Sequence, residues 1–245
     1  MAGSVSGSYL ALQALWTKSA RNYLYRRANL AHAARILDVG CSSADLSSEI
    51  ASRTRGEVLA VDCDEESIAR ARDRFPAIRF CVADARRLPF VNDAFDIALC
   101  HFLLMWVNEP VLAVREMSRV VRGGGFVIAC AEPDYGGLVE EPADCALKEF
   151  LIESLRFEGA DPAIGGSIAE IFREAGLTAQ TGGLSKKLDS RELARSFDLR
   201  WELFGRVSSG REEYAQMLKS REWRALQAGV RTFMLPVFWA FARKE

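Results

Sequence analysis

Residues 36–47 have the sequence ILDVGCSSADLS, an apolar run that meets an acid and a glycine and then enters helix-forming sequence. This pattern predicts a buried strand that turns sharply into the start of a helix. Gly40 can adopt backbone angles that are closed to other residues, and it lets the chain pass close to a bound molecule. The first N–H groups of the next helix attract negative charge. The sequence therefore predicts a ligand-binding turn at residues 40–44.

Two further acids extend this pattern along the chain. Asp62 ends a second apolar run and Asp84 follows a third. Asp62 lies 22 residues beyond Gly40, near the interval of roughly 20 residues at which nucleotide-binding βαβ units place a ribose-binding acid. With Asp38, these acids stand at the carboxyl ends of three successive strands, although each alone is equally typical of a helix cap or a loop. Three in register indicate a site at this edge of the sheet.

Strand patterns alternate with helical patterns along most of the chain. We expect strands at 35–39, 57–62, 78–82, 95–100, 126–130, 177–188 and 232–242. The expected helices lie at about 44–53, 65–74, 109–121 (ended by the glycines 123–125), 143–158 and 168–175, with two more between 190 and 228. This alternation predicts an α/β fold with a doubly wound, mostly parallel sheet. Pro236 cannot donate a ladder hydrogen bond, so we expect a bulge or an unpaired position there.

The composition narrows the classes of function. The chain has 245 residues, with 32 Lys and Arg against 33 Asp and Glu, so no global positive field recruits nucleic acid or an anionic membrane. No apolar run is long enough to span a bilayer, and no signal segment is recognisable. The six cysteines are never closer than fifteen positions, which excludes a CxxC zinc or redox pair. We expect a cytosolic protein with reduced cysteines.

Residues 1–34 contain no acid, and their apolar residues recur at helical spacing. We expect one or two amphipathic helices that form a cap on the main domain, residues 35–245. The cations of this segment include Lys18, Arg21, Arg26 and Arg27. The interpretation that we favour for them is a solvated helix face. The alternative is a contact for phosphate or for an acidic substrate.

The ordered segments resemble the class I S-adenosylmethionine-dependent methyltransferases, specifically the small-molecule group called type 11 methyltransferase domains. The motifs that carry the resemblance are LDVGCSSADLS, VLAVDCDEESIARAR, FCVADARRLPF, FDIALCHFLLMW and EMSRVVRGGGFVIACAEPDYGG. The resemblance implies a seven-stranded, Rossmann-like sheet whose antiparallel C-terminal strand lies between the fifth and the sixth strands. It also implies S-adenosylmethionine as cofactor, S-adenosylhomocysteine as product, and no metal.

The resemblance implies cofactor-binding residues at the ends of the first four strands, namely Asp38, Gly40, Cys41, Asp62, Cys63, Asp84, Ala85 and Cys100. In the family pattern, Gly40 passes beneath the methionine part of the cofactor and Asp62 binds both ribose hydroxyls. Asp84 accepts from the adenine amino group, and the Cys100 carbonyl lies near the methionyl amino group. These roles suit the chemistry, since a carboxylate accepts two hydroxyl hydrogen bonds and charge-assisted bonds are strong.

Ser42 and Ala44 depart from the family pattern, which usually has glycine at both positions. A β-carbon at either position crowds the cofactor or is absorbed by a small shift of the loop. The hydroxyl of Ser42 is also a candidate partner for the methionyl carboxylate. The G-x-G-x-x-G pattern of a dinucleotide-binding enzyme is absent from this turn, which argues against that class.

The acceptor side of the site is expected beyond the fourth and fifth strands. His101 follows the fourth strand and is one of only two histidines, so it is the candidate general base, although a structural histidine is an equally good interpretation. Met105, Trp106 and Tyr135 are candidate substrate-binding residues, and aromatic packing is the alternative for the two rings. Residues 138–175 are expected to form a lid-like insertion.

Three functional hypotheses follow. The leading one is a methyltransferase that acts on oxygen, nitrogen or carbon of a small-molecule acceptor, with no membrane partner and no nucleic acid. The second makes RNA or protein the acceptor, on the strength of the basic N-terminal segment, but no Asn/Asp-Pro-Pro-Tyr/Phe motif follows the fourth strand. The third is a non-catalytic, methyltransferase-like binding protein, motivated by Ser42 and Ala44. The sequence leaves the oligomeric state open.

Overall fold

The structure is a computed structural model that describes residues 7–206 and 210–245. The first six residues of the expected N-terminal cap therefore lie outside the described residues. The helices are α1 Gly7–Arg27, α2 Asp45–Ala51, α3 Glu65–Arg74, α4 Pro110–Val120, α5 Leu147–Phe157, α6 Ile168–Glu174, α7 Ser190–Arg195, α8 Phe197–Arg206 and α9 Glu212–Gln227. The strands are β1 Arg35–Val39, β2 Glu57–Asp62, β3 Arg79–Val82, β4 Phe95–Cys100, β5 Val121–Pro133, β6 Val139–Glu141, β7 Ala179–Leu184, β8 Lys187–Leu188, β9 Thr232–Met234 and β10 Val237–Arg243.

The main sheet has seven strands in the order β3-β2-β1-β4-β5-β10-β7. Strands β1 to β5 pair in parallel, whereas β10 is antiparallel to both β5 and β7. This order confirms the doubly wound α/β fold and the C-terminal strand inserted between its neighbours. Because parallel strands end at the same edge, the residues that follow β1, β2 and β4 meet there.

Side chains of β1 alternate between two apolar cores, one on each face of the sheet. Ile36 joins the core beneath α1, α2 and α3, and Leu37 joins the larger core beneath α4, α5 and α6. Both faces of a parallel sheet are normally covered in this way. Asp38 is therefore a buried acid in an otherwise apolar stretch of strand, on the same face as Ile36.

A second sheet, of order β6-β9-β8, lies beyond the carboxyl ends of β5 and β7. We call this sheet, together with α7, α8 and α9, the cap. Its strands have two or three residues each, too few for a periodic pattern, so sequence analysis missed the sheet. The expectation of two helices between residues 190 and 228 is also wrong, because α7 and α8 are separate helices.

The expected strand at 232–242 is wrong as a single element. It breaks after Met234, and β10 begins at Val237 in the other sheet. The unpaired position expected at Pro236 is confirmed, because Leu235 and Pro236 lie between the two strands. The Pro236 carbonyl accepts from the N–H of Asp134 over 2.9 Å, which fixes the crossing between the sheets. The expected strand at 177–188 divides in the same way, into β7 and β8.

The glycines 123–125 belong to β5 and not to a break before it. Gly125 is required for a close approach of β5 to β4, since a β-carbon there would lie 2.5 Å from the carbonyl oxygen of Asp96. Gly124 and Gly125 also exchange backbone hydrogen bonds with Lys244. We expected this glycine run to end a helix. It is instead the part of β5 where the absence of a side chain allows close contact with β4.

The helix α1 covers one face of the sheet. Lys18, Arg26 and Arg27 are exposed, which agrees with a solvated face. That interpretation is wrong for Arg21, whose side chain is only about 1% exposed and pairs with Glu49 of α2. The sequence of α1 gave no sign of this because the anion that neutralises Arg21 lies 28 residues away.

Four charged side chains lie buried in the cap and pair with one another. Glu222 of α9 accepts from Arg200 over 2.9 Å, from Arg231 over 3.2 Å and from the indole N–H of Trp201 over 2.6 Å. Arg231 also pairs with Glu140 of β6 over 2.7 Å. The two cations and two anions balance, and they join α8, α9, β6 and the start of β9 at one point.

Replacement of Glu222 by alanine is expected to lower the free energy of unfolding by about 3–5 kcal/mol, because two buried guanidinium groups lose their shared partner. Urea unfolding of the wild type and the variant measures the difference. The matched control is Glu170→Ala, which breaks the exposed pair with Arg173 and should leave the midpoint nearly unchanged. Equal effects of the two substitutions would contradict the assignment.

Candidate active site at the carboxyl edge of the sheet

The turn after β1 is folded back onto the end of β2. The backbone N–H groups of Gly40 and Cys41 both donate to the carbonyl of Val61, over 2.8 and 2.9 Å. Gly40, Ser42 and Ala44 have φ values of 78°, 45° and 59°. Three alternate residues of the turn therefore adopt the left-handed conformation, which glycine adopts most readily.

The two residues that depart from the glycine pattern have the backbone conformation of glycine. Ser42 and Ala44 hold the backbone shape that glycine favours, at a strain of about 1 kcal/mol or more for each residue. Neighbouring packing must hold the turn in place, and both residues are partly or fully buried.

The carboxylate of Asp62 is oriented by two backbone donors. Its Oδ2 accepts from the N–H of Ser42 over 2.8 Å, and its Oδ1 accepts from the N–H of Asp64 over 3.0 Å. Each oxygen keeps a further acceptor site, because a carboxylate oxygen has two lone pairs. Asp62 is partly exposed and Cys63 beside it is exposed, so both face the solvent side of this edge.

Asp84 lies on the same edge and is held by Arg86. The Arg86 guanidinium bonds both carboxylate oxygens, the shortest distance being 2.7 Å, and it also reaches Glu109 over 3.3 Å. These bonds hold the pKa of Asp84 below its usual range, so the group is an anionic acceptor. Sequence analysis missed Arg86, which has no motif signal beyond its position two residues after the acid.

Asp38 is placed differently from the other two acids. Its side chain is buried and accepts from the Ser47 hydroxyl of α2 over 2.5 Å. Burial, with a smaller contribution from the Asp62 carboxylate, raises the pKa of Asp38 to about 7 against the effect of the Ser47 bond. Asp38 therefore ties β1 to α2, whereas Asp62 and Asp84 reach the surface of the edge.

The helix that follows the turn carries an acid of its own in its first turn. α2 has only seven residues, and Asp45 stands in its first turn. The carboxylate of Asp45 accepts from Ser43 and pairs with Arg74, each over 2.7 Å. No described side chain bonds the first N–H groups of α2, so the expectation that the helix N-terminus attracts a negative ligand stays a prediction.

Glu132, at the end of β5, is a buried carboxyl that caps the segment after β4. Its Oε1 accepts from the N–H groups of Leu103 and Leu104 over 3.1 and 3.2 Å, and it lies 3.9 Å from the sulfur of Cys100. Its Oε2 has no hydrogen-bond partner among the described residues. Burial raises the pKa of Glu132 to about 7. The side chain of Leu103 packs on Gly40, so Glu132 also fixes a neighbour of the turn.

His101 directly follows β4, and its Nε2 lies 2.8 Å from the hydroxyl of Thr17 in α1. Arg21 donates to the same hydroxyl oxygen over 2.5 Å. Burial, helped by the Arg21 guanidinium, lowers the pKa of His101 to about 3. The ring is therefore neutral at physiological pH and is a weak base, and its role as general base stays a prediction.

The three candidate substrate-binding residues differ in their solvent exposure. Met105 and Tyr135 are buried in the larger core, and Trp106 is 38% exposed. The backbone of Met105 accepts from the N–H of Asp161, and the N–H of Tyr135 donates to Pro162, both over 2.8 Å. Trp106 alone thus offers side-chain surface in this structure, and binding by all three stays a prediction.

Cavities lie at both ends of the sheet. The larger, about 690 Å³ and open, is at the amino ends of the strands and is lined by residues such as Arg27, Phe126 and Arg243. The smaller, about 30 Å³, lies between α1 and the cap, and its lining includes Thr17, Phe233 and others that are mostly apolar. The larger cavity is remote from the acids and the turn, so its size does not make it the site.

No group of three or more His, Cys, Asp or Glu side chains in ranges 7–206 and 210–245 is arranged to hold a metal ion. In the same ranges, no helix is both long and apolar enough to cross a membrane.

Residues 37–129 match the family described as "Methyltransferase domain". The chain contains a class I S-adenosylmethionine-dependent methyltransferase domain. The matched residues run from β1 to β5 and include the turn, Asp62, Asp84 and His101. They exclude α1 and the cap.

Known proteins similar to this methyltransferase domain agree with the fold. The ubiquinone/menaquinone biosynthesis C-methyltransferase UbiE of Nitrosospira multiformis is 36% identical over 147 residues, which cover 50% of this chain and 59% of that protein. A putative methyltransferase from Bacillus halodurans has a TM-score of 0.63 at 18% identity, covering 92% of this chain and 99% of its own. The [4+2]-cyclase SpnF has a TM-score of 0.57 at 18% identity, covering 93% of this chain and 81% of its own. The chain spans about half to just under two thirds of the length of the first curated relatives.

The residues of this methyltransferase domain fit the cofactor of its family. The turn keeps the left-handed backbone of a glycine loop at positions 40, 42 and 44. The Asp62 carboxylate is oriented at the end of β2 with acceptor capacity left over, as two ribose hydroxyls require. Asp84 is anionic and exposed on the neighbouring strand.

Replacement of Ala44 by glycine is expected to raise the free energy of unfolding by about 0.5–1 kcal/mol, because relief of the left-handed strain exceeds the entropy that glycine adds to the unfolded chain. Ala69→Gly is the matched control, since Ala69 is exposed within α3 and its replacement should cost about 1 kcal/mol. Urea unfolding measures both. The same sign of change in the two variants would contradict the strained turn.

Acidification from pH 8 to pH 5.5 is expected to stabilise the ligand-free protein through Asp38 and Glu132. Their folded-state pKa values of about 7 exceed the unfolded values of 3.8 and 4.5, so the folded state binds these protons more tightly. The gain begins as the pH falls through about 7 and is complete below the unfolded values. Thermal unfolding of Asp38→Asn and Glu132→Gln against pH should show flatter profiles than the wild type. An unchanged slope in both variants would contradict the assignment.

Proposed function

We propose that this chain transfers a methyl group from S-adenosylmethionine to a small-molecule acceptor. The observation that carries the proposal is the left-handed backbone at Gly40, Ser42 and Ala44 beside the oriented carboxylate of Asp62. Backbone strain of this kind clusters at ligand sites, where the surrounding structure holds it in place. The family match over residues 37–129 supports the same conclusion.

The residues at the strand ends would hold the cofactor. Gly40 and Cys41 would lie beneath its methionine part, and the Cys100 carbonyl, on the adjacent strand, would accept from the amino group. Asp62 would bind the two ribose hydroxyls through the acceptor sites that Ser42 and Asp64 leave free. The adenine would meet the residues after the second and third strands, namely Cys63, Asp84 and Ala85. Asp38 supports this arrangement from below through Ser47.

When bound, S-adenosylmethionine supplies a methyl group on a positively charged sulfur. In such a displacement the protein contributes alignment of the two reactants and exclusion of water. The cap, which lies beyond the carboxyl ends of β5 and β7, is suited to exclude water from the acceptor side. The lid that we expected at residues 138–175 contributes β6 to this sheet, and its closure stays a proposal.

A small-molecule acceptor is favoured over RNA or protein. The formal charge of the chain is -1, and the buried pairing of Arg21 with Glu49 removes one cation from the basic face of α1. Arg27 on that face is bonded to Gln180 over 2.6 Å. The name of the Nitrosospira relative refers to C-methylation in quinone biosynthesis. A quinol, which has a carbon nucleophile activated by ring oxygens, is therefore the first acceptor class to test.

A second candidate function is chemistry without methyl transfer on the same fold. It is favoured by one observation, the similarity in structure to the [4+2]-cyclase SpnF. Fold similarity at this level of identity does not determine which reaction is catalysed. Cofactor binding and turnover distinguish this candidate from the leading proposal.

Titration calorimetry with S-adenosylmethionine and S-adenosylhomocysteine tests the cofactor site. Asp62→Ala should weaken binding by about ten- to a hundredfold, because the ribose loses a charged acceptor worth roughly 1.5–3 kcal/mol. The matched control is Asp73→Ala, an exposed acid in the last turn of α3, which should bind like the wild type. No wild-type binding, or equal weakening in both variants, would overturn the proposal.

Transfer itself is tested with deuterated methyl groups. S-adenosylmethionine that carries a CD₃ group is incubated with a panel of reduced naphthoquinols, phenols and amines, and mass spectrometry searches for labelled products. A labelled quinol is the expected result. Cofactor binding without any labelled product across the panel would favour the candidate that lacks methyl transfer.

A further inference from the structure

The N-terminal helix contacts the ligand edge of the sheet through a hydrogen-bond network of buried polar side chains. Thr17 and Arg21 lie one turn apart on α1, and each is about 1% exposed. The hydroxyl oxygen of Thr17 accepts from Arg21 over 2.5 Å and lies 2.8 Å from Nε2 of His101. The contact with His101 joins residues that are 84 positions apart in the sequence.

At its other end, this hydrogen-bond network is attached to α2. The second guanidinium nitrogen of Arg21 bonds Glu49 over 2.5 Å, and Arg53 pairs with the other oxygen of that carboxylate over 3.0 Å. A buried guanidinium with two fixed partners has little freedom to rotate, because any other position leaves a buried charge unpaired. The oxygen of Thr17 is therefore held in place from behind.

The surroundings of His101 disfavour its charged form. The Arg21 guanidinium is the cation that faces the ring from α1. Glu49 of α2 and Arg53, which follows α2, lie behind it. On the sheet, the buried carboxyl of Glu132 ends the strand next to β4. Burial and the nearby guanidinium both disfavour an imidazolium ion. No hydrogen bond to Nδ1 of His101 occurs in the part of the chain that the structure describes, and the residue is only partly buried.

We propose that Thr17 is a positioning residue of the methyl-transfer site, which fixes the ring of His101 so that its Nδ1 edge faces the group that receives the methyl. The inference rests on the proposed function and deepens it. The N-terminal helix, which lies outside the matched residues 37–129, becomes part of the acceptor half of the site. His101 then orients the acceptor by a hydrogen bond, and the proton of a protic acceptor leaves to solvent.

The two histidines of the chain make this arrangement directly observable. In protein labelled with ¹⁵N-histidine, the imidazole signals are assigned with a His32→Gln variant. The His101 signals should stay constant between pH 5 and pH 8 in the ligand-free wild type. Thr17→Val removes only the hydroxyl and should change them, whereas Thr17→Ser retains the hydroxyl and should match the wild type. Titration of wild-type His101 within this range, or an unchanged spectrum in Thr17→Val, would overturn the proposal.

Two cofactor analogues test which way the ring faces. Sinefungin carries an amine-bearing carbon where the cofactor has its methyl-bearing sulfur, and S-adenosylhomocysteine has the sulfur without the methyl group. Sinefungin should therefore shift the His101 signals more than S-adenosylhomocysteine does. Thr17→Val should reduce this difference while the Kd for S-adenosylhomocysteine stays within about twofold of the wild type. Equal responses of wild-type His101 to the two analogues would overturn the proposal.

The failure of this proposal is distinguishable from the failure of the proposed function. If neither analogue binds, the cofactor site proposed at Asp62 is wrong. The pH titration of the ligand-free protein still decides whether Thr17 and Arg21 hold His101 neutral. If both analogues bind and His101 titrates normally, the methyltransferase proposal stands and the role of Thr17 falls.

Discussion

The hydrogen bond from the backbone of Ser42 to the carboxylate of Asp62 is the constraint on which the site depends. It ties the turn after β1 to the end of β2, and the second oxygen of Asp62 ties the start of α3 to the same point. One side chain thereby fixes the turn after β1, the end of β2 and the start of α3 relative to one another. The strained backbone of the turn persists because this bond and the two N–H bonds to Val61 hold it.

Much of the fold could be predicted from the sequence, because alternating strand and helix patterns with acids at three strand ends allow few topologies. The unpaired position at Pro236 was also predicted correctly. The burial of Arg21 and the capping role of Glu132 could not be predicted, since each depends on a partner that only the folded chain supplies. The second sheet was missed because its strands are too short to show a period.

The candidate site was predictable in its position and not in its electrostatics. Asp38, Asp62 and Asp84 look equivalent in the sequence, yet the structure buries the first, orients the second with backbone donors and pairs the third with an arginine. Desolvation raises the pKa of Asp38 while Arg86 lowers that of Asp84. Identical side chains thus acquire different properties from surroundings that no local motif encodes.

The insertion of β10 between β5 and β7 sets an order for the assembly of the chain. Residues 237–243 emerge from the ribosome after all other strands, yet they bridge two of them. Until then, β5 is an open, apolar sheet edge, and such edges pair readily with foreign strands. A nascent chain of this topology therefore leaves one specific edge unpaired during synthesis until β10 closes it.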